Sequence, residues 1–203
     1  MTLITDSSRY SGELFFSQIE QALSNGLDAV LVREKSLTSA KLLALASRLR
    51  EMTRLHQAQL IIHSQADIAE AVDADGVHLS SADLGTVPLI RSWLNNPDRT
   101  ISVSCHQAQE LDLAAQAGAD YAMLSPAFPT ASHPGAPCLG VETFRRIASQ
   151  AKLPVVALGG IHCANCSTLN WPNIAVISAI LASHDAGAAT RALKQCMING
   201  RCD

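Results

Sequence analysis

Eight short apolar runs, most of them without alternation, constrain this chain more than anything else in it. They are Thr2–Thr5, Ala29–Arg33, Gln59–Ile62, Gly76–Leu79, Thr100–Val103, Tyr121–Leu124, Val155–Leu158 and Ile174–Ile177. A strand with one wet face alternates polar and apolar residues. Runs such as AVLV, VVAL and IAVI are apolar on both faces and suit strands covered on both sides, as in a parallel sheet. The runs start roughly 20–30 residues apart, the length of one βα unit. Helical spacing fills the gaps at Phe15–Asn25, Thr38–Gln57, His106–Gly118, Val141–Ala151 and Ala186–Met197. Two segments nearly repeat, AEAVDADG at Ala69–Gly76 and AAQAGADY at Ala114–Tyr121, and each reads as a helix end, a tight turn and a new strand. The pattern predicts a single (β/α)8 TIM barrel over residues 1–203, short for that fold. An open doubly wound sheet is the alternative, weakened because neither G-x-G-x-x-G nor a P-loop occurs.

Composition removes several classes of function. The chain is 48% hydrophobic and 16% charged, which suits a packed core and not disorder. A net charge of -3 and 4% aromatic residues supply neither a field nor a stacking platform for nucleic acid. No apolar run is long enough for a membrane span, and Asp6, Arg9, Glu13 and Glu20 interrupt any signal-peptide core. The six cysteines then read as reduced thiols in a cytoplasmic protein.

In a barrel, chemistry gathers at the C-terminal ends of the strands. Those ends here hold Arg33-Glu34-Lys35, His63-Ser64, Ser80 to Asp83, Ser104-Cys105-His106, Ser125 to Gly135, Gly159-Gly160 and Ser178. Glycines after the seventh run let backbone amides approach an anion, and the turn at Ser178-Ala179-Ile180 aims amides at the same point. Arg33 and Lys35, two apart and facing one way, add positive charge on the opposite side of the mouth. Surface ion pairs with Glu34 or Asp83 are the plainer reading of those two cations. Cys163 and Cys166 form a C-x-x-C with no second ligand pair, so two thiols one turn apart are expected and not a zinc site. Cys105 beside His106 suggests a nucleophile only weakly.

Taken together, Leu31 to Lys35, Ala74 to Leu79 with Asp83, Val103 to His106, Ser125 to Thr130, Pro134 to Pro137, Pro154 to Ile161 and Ser178 to Ile180 resemble the thiamine-phosphate synthase/TenI family, in family order. The resemblance implies a (β/α)8 barrel that handles hydroxyethylthiazole phosphate. Synthases of that family join an aminopyrimidine pyrophosphate to the thiazole phosphate with Mg²⁺. TenI-type members shift a proton on the thiazole and need no cofactor. By resemblance, Arg33, Lys35, Asp83 and Ser104 fall on the pyrophosphate and Mg²⁺ side, and Thr130, Gly160, Ile177 and Ser178 on the thiazole-phosphate cradle, with Gly159 beside it. His106 matches the TenI acid/base, and histidine can give and take a proton near neutral pH.

Three departures bear on the choice. Synthases have glutamine at Leu31, Asn-Asp at His63-Ser64, where the aspartate binds metal, and lysine at His133. Losing one metal carboxylate and one cation weakens stabilisation of the leaving pyrophosphate by about 3 kcal/mol, about a hundredfold in rate. Because these changes fall together, the sequence favours a TenI-type tautomerase with His106 as acid/base. A Mg²⁺-dependent synthase stands as the alternative, and a barrel that binds a phosphorylated ligand without turnover as a third reading. The expected partner is a small phosphorylated thiazole, with no nucleic acid and no membrane, and self-association is left open.

Overall fold

The computed structural model describes residues 1–130 and 137–199. Eight parallel strands close into a barrel in chain order: β1 (Thr2–Ile4), β2 (Ala29–Val32), β3 (Gln59–His63), β4 (Gly76–Leu79), β5 (Thr100–Cys105), β6 (Tyr121–Leu124), β7 (Val155–Leu158) and β8 (Ile174–Val176). The ring is sealed where Thr2 pairs with Ala175 and Leu3 with Val176. Around it lie α1 (Gly12–Ser24), α2 (Ser39–Leu55), α3 (Ala66–Ala71), a 3-10 turn (Ser81–Thr86), α4 (Val87–Leu94), α5 (Ala108–Ala117), α6 (Val141–Ser149), α7 (Cys163–Leu169), α8 (Ser178–Leu181) and α9 (Ala186–Asn199). Among the described residues, no helix is long and apolar enough to cross a membrane.

The unalternated runs are explained by two cores. Ala29 and Leu31 face the barrel interior with Ile4, Ile61, Met123 and Ala175. Val30 and Val32, the residues between and after them, face the helices and join the larger outer core with Leu3, Leu60, Ile62 and Phe144. Strands β4 and β5 depart from this scheme. Val77, Leu79, Ile101, Val103 and Cys105 lie in the outer core, while their alternates Gly76, His78, Ser102 and Ser104 belong to the polar inner face. Gly76 is required there: a Cβ on it would sit 2.5 Å from the Thr100 carbonyl oxygen.

Two strands run further than their apolar runs predict. β3 reaches His63, which pairs with His78, and β5 reaches Cys105, which pairs with Leu124. Pairing with one neighbour, β4 for His63 and β6 for Ser104 and Cys105, carries these residues on as strand, a tertiary effect that local composition does not contain. Three other strands stop one residue short, before Thr5, Arg33 and Ile177. Helix α3 has six residues and shows too few turns to register as periodic. Helix α4 opens on Val87-Pro88 and ends at Asn95 in the left-handed region.

The near-repeat has a structural cause at the N-terminal end of the barrel. Asp75, just before β4, takes the Leu60 amide of β3 at 2.7 Å and Arg50 of α2 at 2.7 Å. Asp120, just before β6, takes the Ile101 amide of β5 at 2.6 Å and Arg91 of α4 at 2.5 Å. Asp28, just before β2, holds the Met1 ammonium at 2.5 Å and Lys194 of α9 at 3.1 Å. Each aspartate thus ties one strand to the start of the strand before it and to a cation, on a helix in every case. Charge-assisted bonds of this kind contribute about 1.5–3 kcal/mol. Asp75→Ala should therefore lower the unfolding free energy in urea by about 2 kcal/mol, with ligand affinity unchanged because the latch is at the far end from the cavity described next.

Candidate functional site

A cavity of about 930 Å³ opens at the C-terminal end of the barrel. Its wall brings together Arg33, Lys35, His63, Ser104, His106, Thr130, Gly159, Gly160, Ile177 and Ser178. Two residues singled out from the sequence, Ser64 and Asp83, are not in the wall. Ser64 bonds back to His63 Nδ1 at 3.0 Å, and Asp83 accepts from the wall residue Ser80 at 2.6 Å. His133 lies outside the described residues. The wall also contains Thr5, Asp6, Ser8 and Arg9 after β1, which follow the first strand as Arg33 follows the second, so position was their only signal.

Two arcs make up the rim. On the β6–β8 arc, Gly159 and Gly160 have φ of 101° and 65°, a region open to glycine and costly for other residues. They are also tightly packed: a Cβ on Gly159 would meet Pro126 Cα at 2.7 Å, and one on Gly160 would meet Phe128 Cβ at 2.9 Å. Their carbonyls are used, by the Phe128 amide at 3.0 Å and by Asn165 Nδ2 at 2.8 Å. The amides of Gly160 and of Ser178, at the start of α8, have no acceptor among the described residues. Two donors therefore border one cavity, an arrangement suited to an anion.

The β2–β5 arc is cationic. Neither Arg33 nor Lys35 forms an ion pair with Glu34 or Asp83. Glu34 is buried and turned to Ser7, accepting its amide at 2.9 Å and its hydroxyl at 2.7 Å. The expectation that the cations stand opposite the glycine turn needs correction, because β2 is two places from β8 in the ring and the arcs adjoin across β1. Burial, then the charges of Arg33 and Lys35, push His63 down to about 4, with Asp83 opposing. His63 is thus neutral near pH 7 and adds no charge beside Ser64, the position where the resemblance leads one to expect an acidic metal ligand.

Deeper in, His78 is 1% exposed, with Nδ1 at 2.8 Å from Ser102 Oγ and Nε2 at 2.8 Å from Ser104 Oγ. Burial, the neighbouring His63 and Arg33 lower it to about 3. At the rim, His106 Nδ1 is 2.9 Å from the Ser125 carbonyl, which can only accept. The proton therefore sits on Nδ1 and leaves Nε2 as the basic nitrogen. Cys105 is fully buried in the outer core, its thiol pushed up to about 12 by burial and then by Glu110, so it is no nucleophile near neutral pH.

Both inner histidines take up a proton near 6.5 when unfolded but only at about 4 and about 3 when folded. The unfolded chain then binds more protons across that interval, so stability is full above about pH 6.5 and is lost as pH falls towards the folded values. Urea unfolding should show lower stability at about pH 5 than at pH 7, and His63→Gln should remove part of the difference.

Comparison with known proteins places the chain among relatives of one kind. The family model described as thiamine monophosphate synthase matches residues 1–182. The thiamine-phosphate synthase of Chloroflexus aurantiacus is 35% identical over 95% of this chain and 89% of its own. That of Methanospirillum hungatei is 35% identical over 97% of each chain. Among solved structures, the thiamine phosphate pyrophosphorylase of Pyrococcus furiosus superposes with a TM-score of 0.86 at 31% identity, covering 98% of this chain and 96% of that one. The 3-hexulose-6-phosphate synthase of Salmonella typhimurium, at 13% identity, covering 98% of this chain and 99% of that one, with a TM-score of 0.74, shares the fold alone.

Proposed function

The chain belongs to the thiamine monophosphate synthase family, and on that premise we propose that it is a thiamine-phosphate synthase, coupling an aminopyrimidine methyl diphosphate to a thiazole phosphate. The observation that carries this reading is the presence of two arcs suited to anions on one rim: Arg33 and Lys35 after β2, and the open amides of Gly160 after β7 and Ser178 after β8. Isomerising one thiazole phosphate requires a single anion site. Two arcs suit a reaction between two phosphorylated molecules. The names of the relatives support the synthase over the tautomerase that the sequence alone favours.

In this reading the thiazole phosphate rests on the amide arc with its ring nitrogen towards the barrel axis. The diphosphate rests on Arg33, Lys35 and Ser104. The bond from the pyrimidine methylene carbon to the diphosphate oxygen breaks, the thiazole nitrogen bonds to that carbon, and pyrophosphate leaves. Arg33 and Lys35 stabilise the charge gathering on the departing group, the largest contribution available to a site of this kind.

For Mg²⁺ the donor set is thin. Among the described residues no group of three His, Cys, Asp or Glu converges. Asp83 offers one carboxylate, and Mg²⁺ is commonly held by one or two carboxylates plus substrate phosphates. Asp83 would hold the ion, which would neutralise the pyrophosphate once bound. Calorimetry should accordingly detect Mg²⁺ binding only with pyrophosphate present, and Asp83→Asn should abolish it.

The deciding experiment supplies both substrates with and without Mg²⁺. Thiamine phosphate should form with Mg²⁺, and Arg33→Gln should cut the rate by about a hundredfold. His106 supports the second reading, since its free Nε2 borders the cavity. Thiazole isomerisation that is lost in His106→Ala, with no coupled product from the two-substrate assay, would replace the synthase by the tautomerase.

A further inference from the structure

Nothing in the proposed reaction yet uses the polar inner face of β4 and β5. Three groups there stand in series. Ser102 is hydrogen-bonded to His78 Nδ1, and His78 Nε2 to Ser104, whose side chain borders the cavity. His63 closes over the imidazole with its ring centroid 5.9 Å away. We propose that His78 is a positioning residue, fixing the Ser104 hydroxyl as a hydrogen-bond donor aimed at the diphosphate of the substrate. The proposal deepens the synthase reading and rests on it for the identity of the anion.

A serine hydroxyl left to itself rotates, and it accepts as readily as it donates. A neutral imidazole carries one proton, so the series has two senses. If Nδ1 held the proton, Nε2 would accept from Ser104, and the serine would turn only lone pairs to an anion. If Nε2 holds it, Ser104 Oγ accepts from the ring and its own proton is free for the cavity. Nδ1 then accepts from Ser102. Each donor points towards the rim and both ring nitrogens are paired, as buried polar groups require. Burial holds His78 neutral, so the series keeps one polarity near pH 7.

The test measures the affinity of inorganic pyrophosphate by calorimetry in wild type, Ser104→Ala, His78→Leu and the double variant. Each single change should weaken binding by about tenfold, one hydrogen bond's contribution. The double variant should be no weaker than Ser104→Ala, because a residue that acts through Ser104 has no effect once the hydroxyl is gone. His78→Gln, whose amide nitrogen extends towards the Nε2 position, should recover most of the loss. Losses that multiply, a His78→Leu protein that binds like wild type, or a wild type that does not bind pyrophosphate would each overturn the proposal. Should the leucine variant fail to fold, ring-labelled nitrogen NMR of the wild type with pyrophosphate decides instead. A proton on Nε2 of His78 supports the proposal, and one on Nδ1 overturns it. A chain that follows this pattern yet makes no thiamine phosphate would refute the synthase reading and leave the positioning role standing.

Discussion

Ring closure is the constraint on which this protein depends. Its strands are three to six residues long, and strands so short gain little from any one neighbour. Sealing β1 against β8 gives every strand two neighbours and leaves no open edge. It also forces the arcs of the rim to adjoin, with β1 alone between the end of β2 and the end of β8. The cavity is thus a product of the same pairing that holds the fold together, and it needs no second domain to make its wall.

Within the barrel, apolar packing and polar function divide the circumference. Ile4, Leu31, Ile61 and Met123 fill the interior as side chains of a packed barrel do. His78, Ser102 and Ser104 occupy space that aliphatic residues could fill at lower desolvation cost. They are tolerated because each is hydrogen-bonded, and because β4 and β5 recover apolar burial on the outside through Val77, Ile101 and Val103. The opposite end of the barrel is committed to stability, through Asp28, Asp75 and Asp120, so the two demands rarely meet in one residue.

What the sequence made legible follows from these divisions. Barrel and strand positions could be read because two-sided burial leaves unbroken apolar runs such as AVLV. His63 and Ser104 could be seen as strand-end polar residues, but their membership of β3 and β5 could not, since that is decided by partners on β4 and β6. The place of His78 could not be read, because nothing local shows that two serines from β5 meet its ring nitrogens. The near-repeat was visible as a pattern, but its cause was not: Leu60 and Arg50 reach Asp75 from another strand and a helix.

Gly76 shows how unequal the constraints on future variation are. At Gly26 the nearest obstacle to a methyl group is the tip of the flexible Lys194 side chain, so what opposes a side chain there is the left-handed backbone, with φ of 87°. At Gly76 a main-chain carbonyl stands in the way, and a main chain keeps its oxygen whatever residue occupies position 100. No compensating replacement elsewhere can relieve that collision short of moving the fifth strand. Descendants of this sequence can exchange many residues at its surface, yet a site closed by main chain stays closed to every evolutionary path that preserves the barrel.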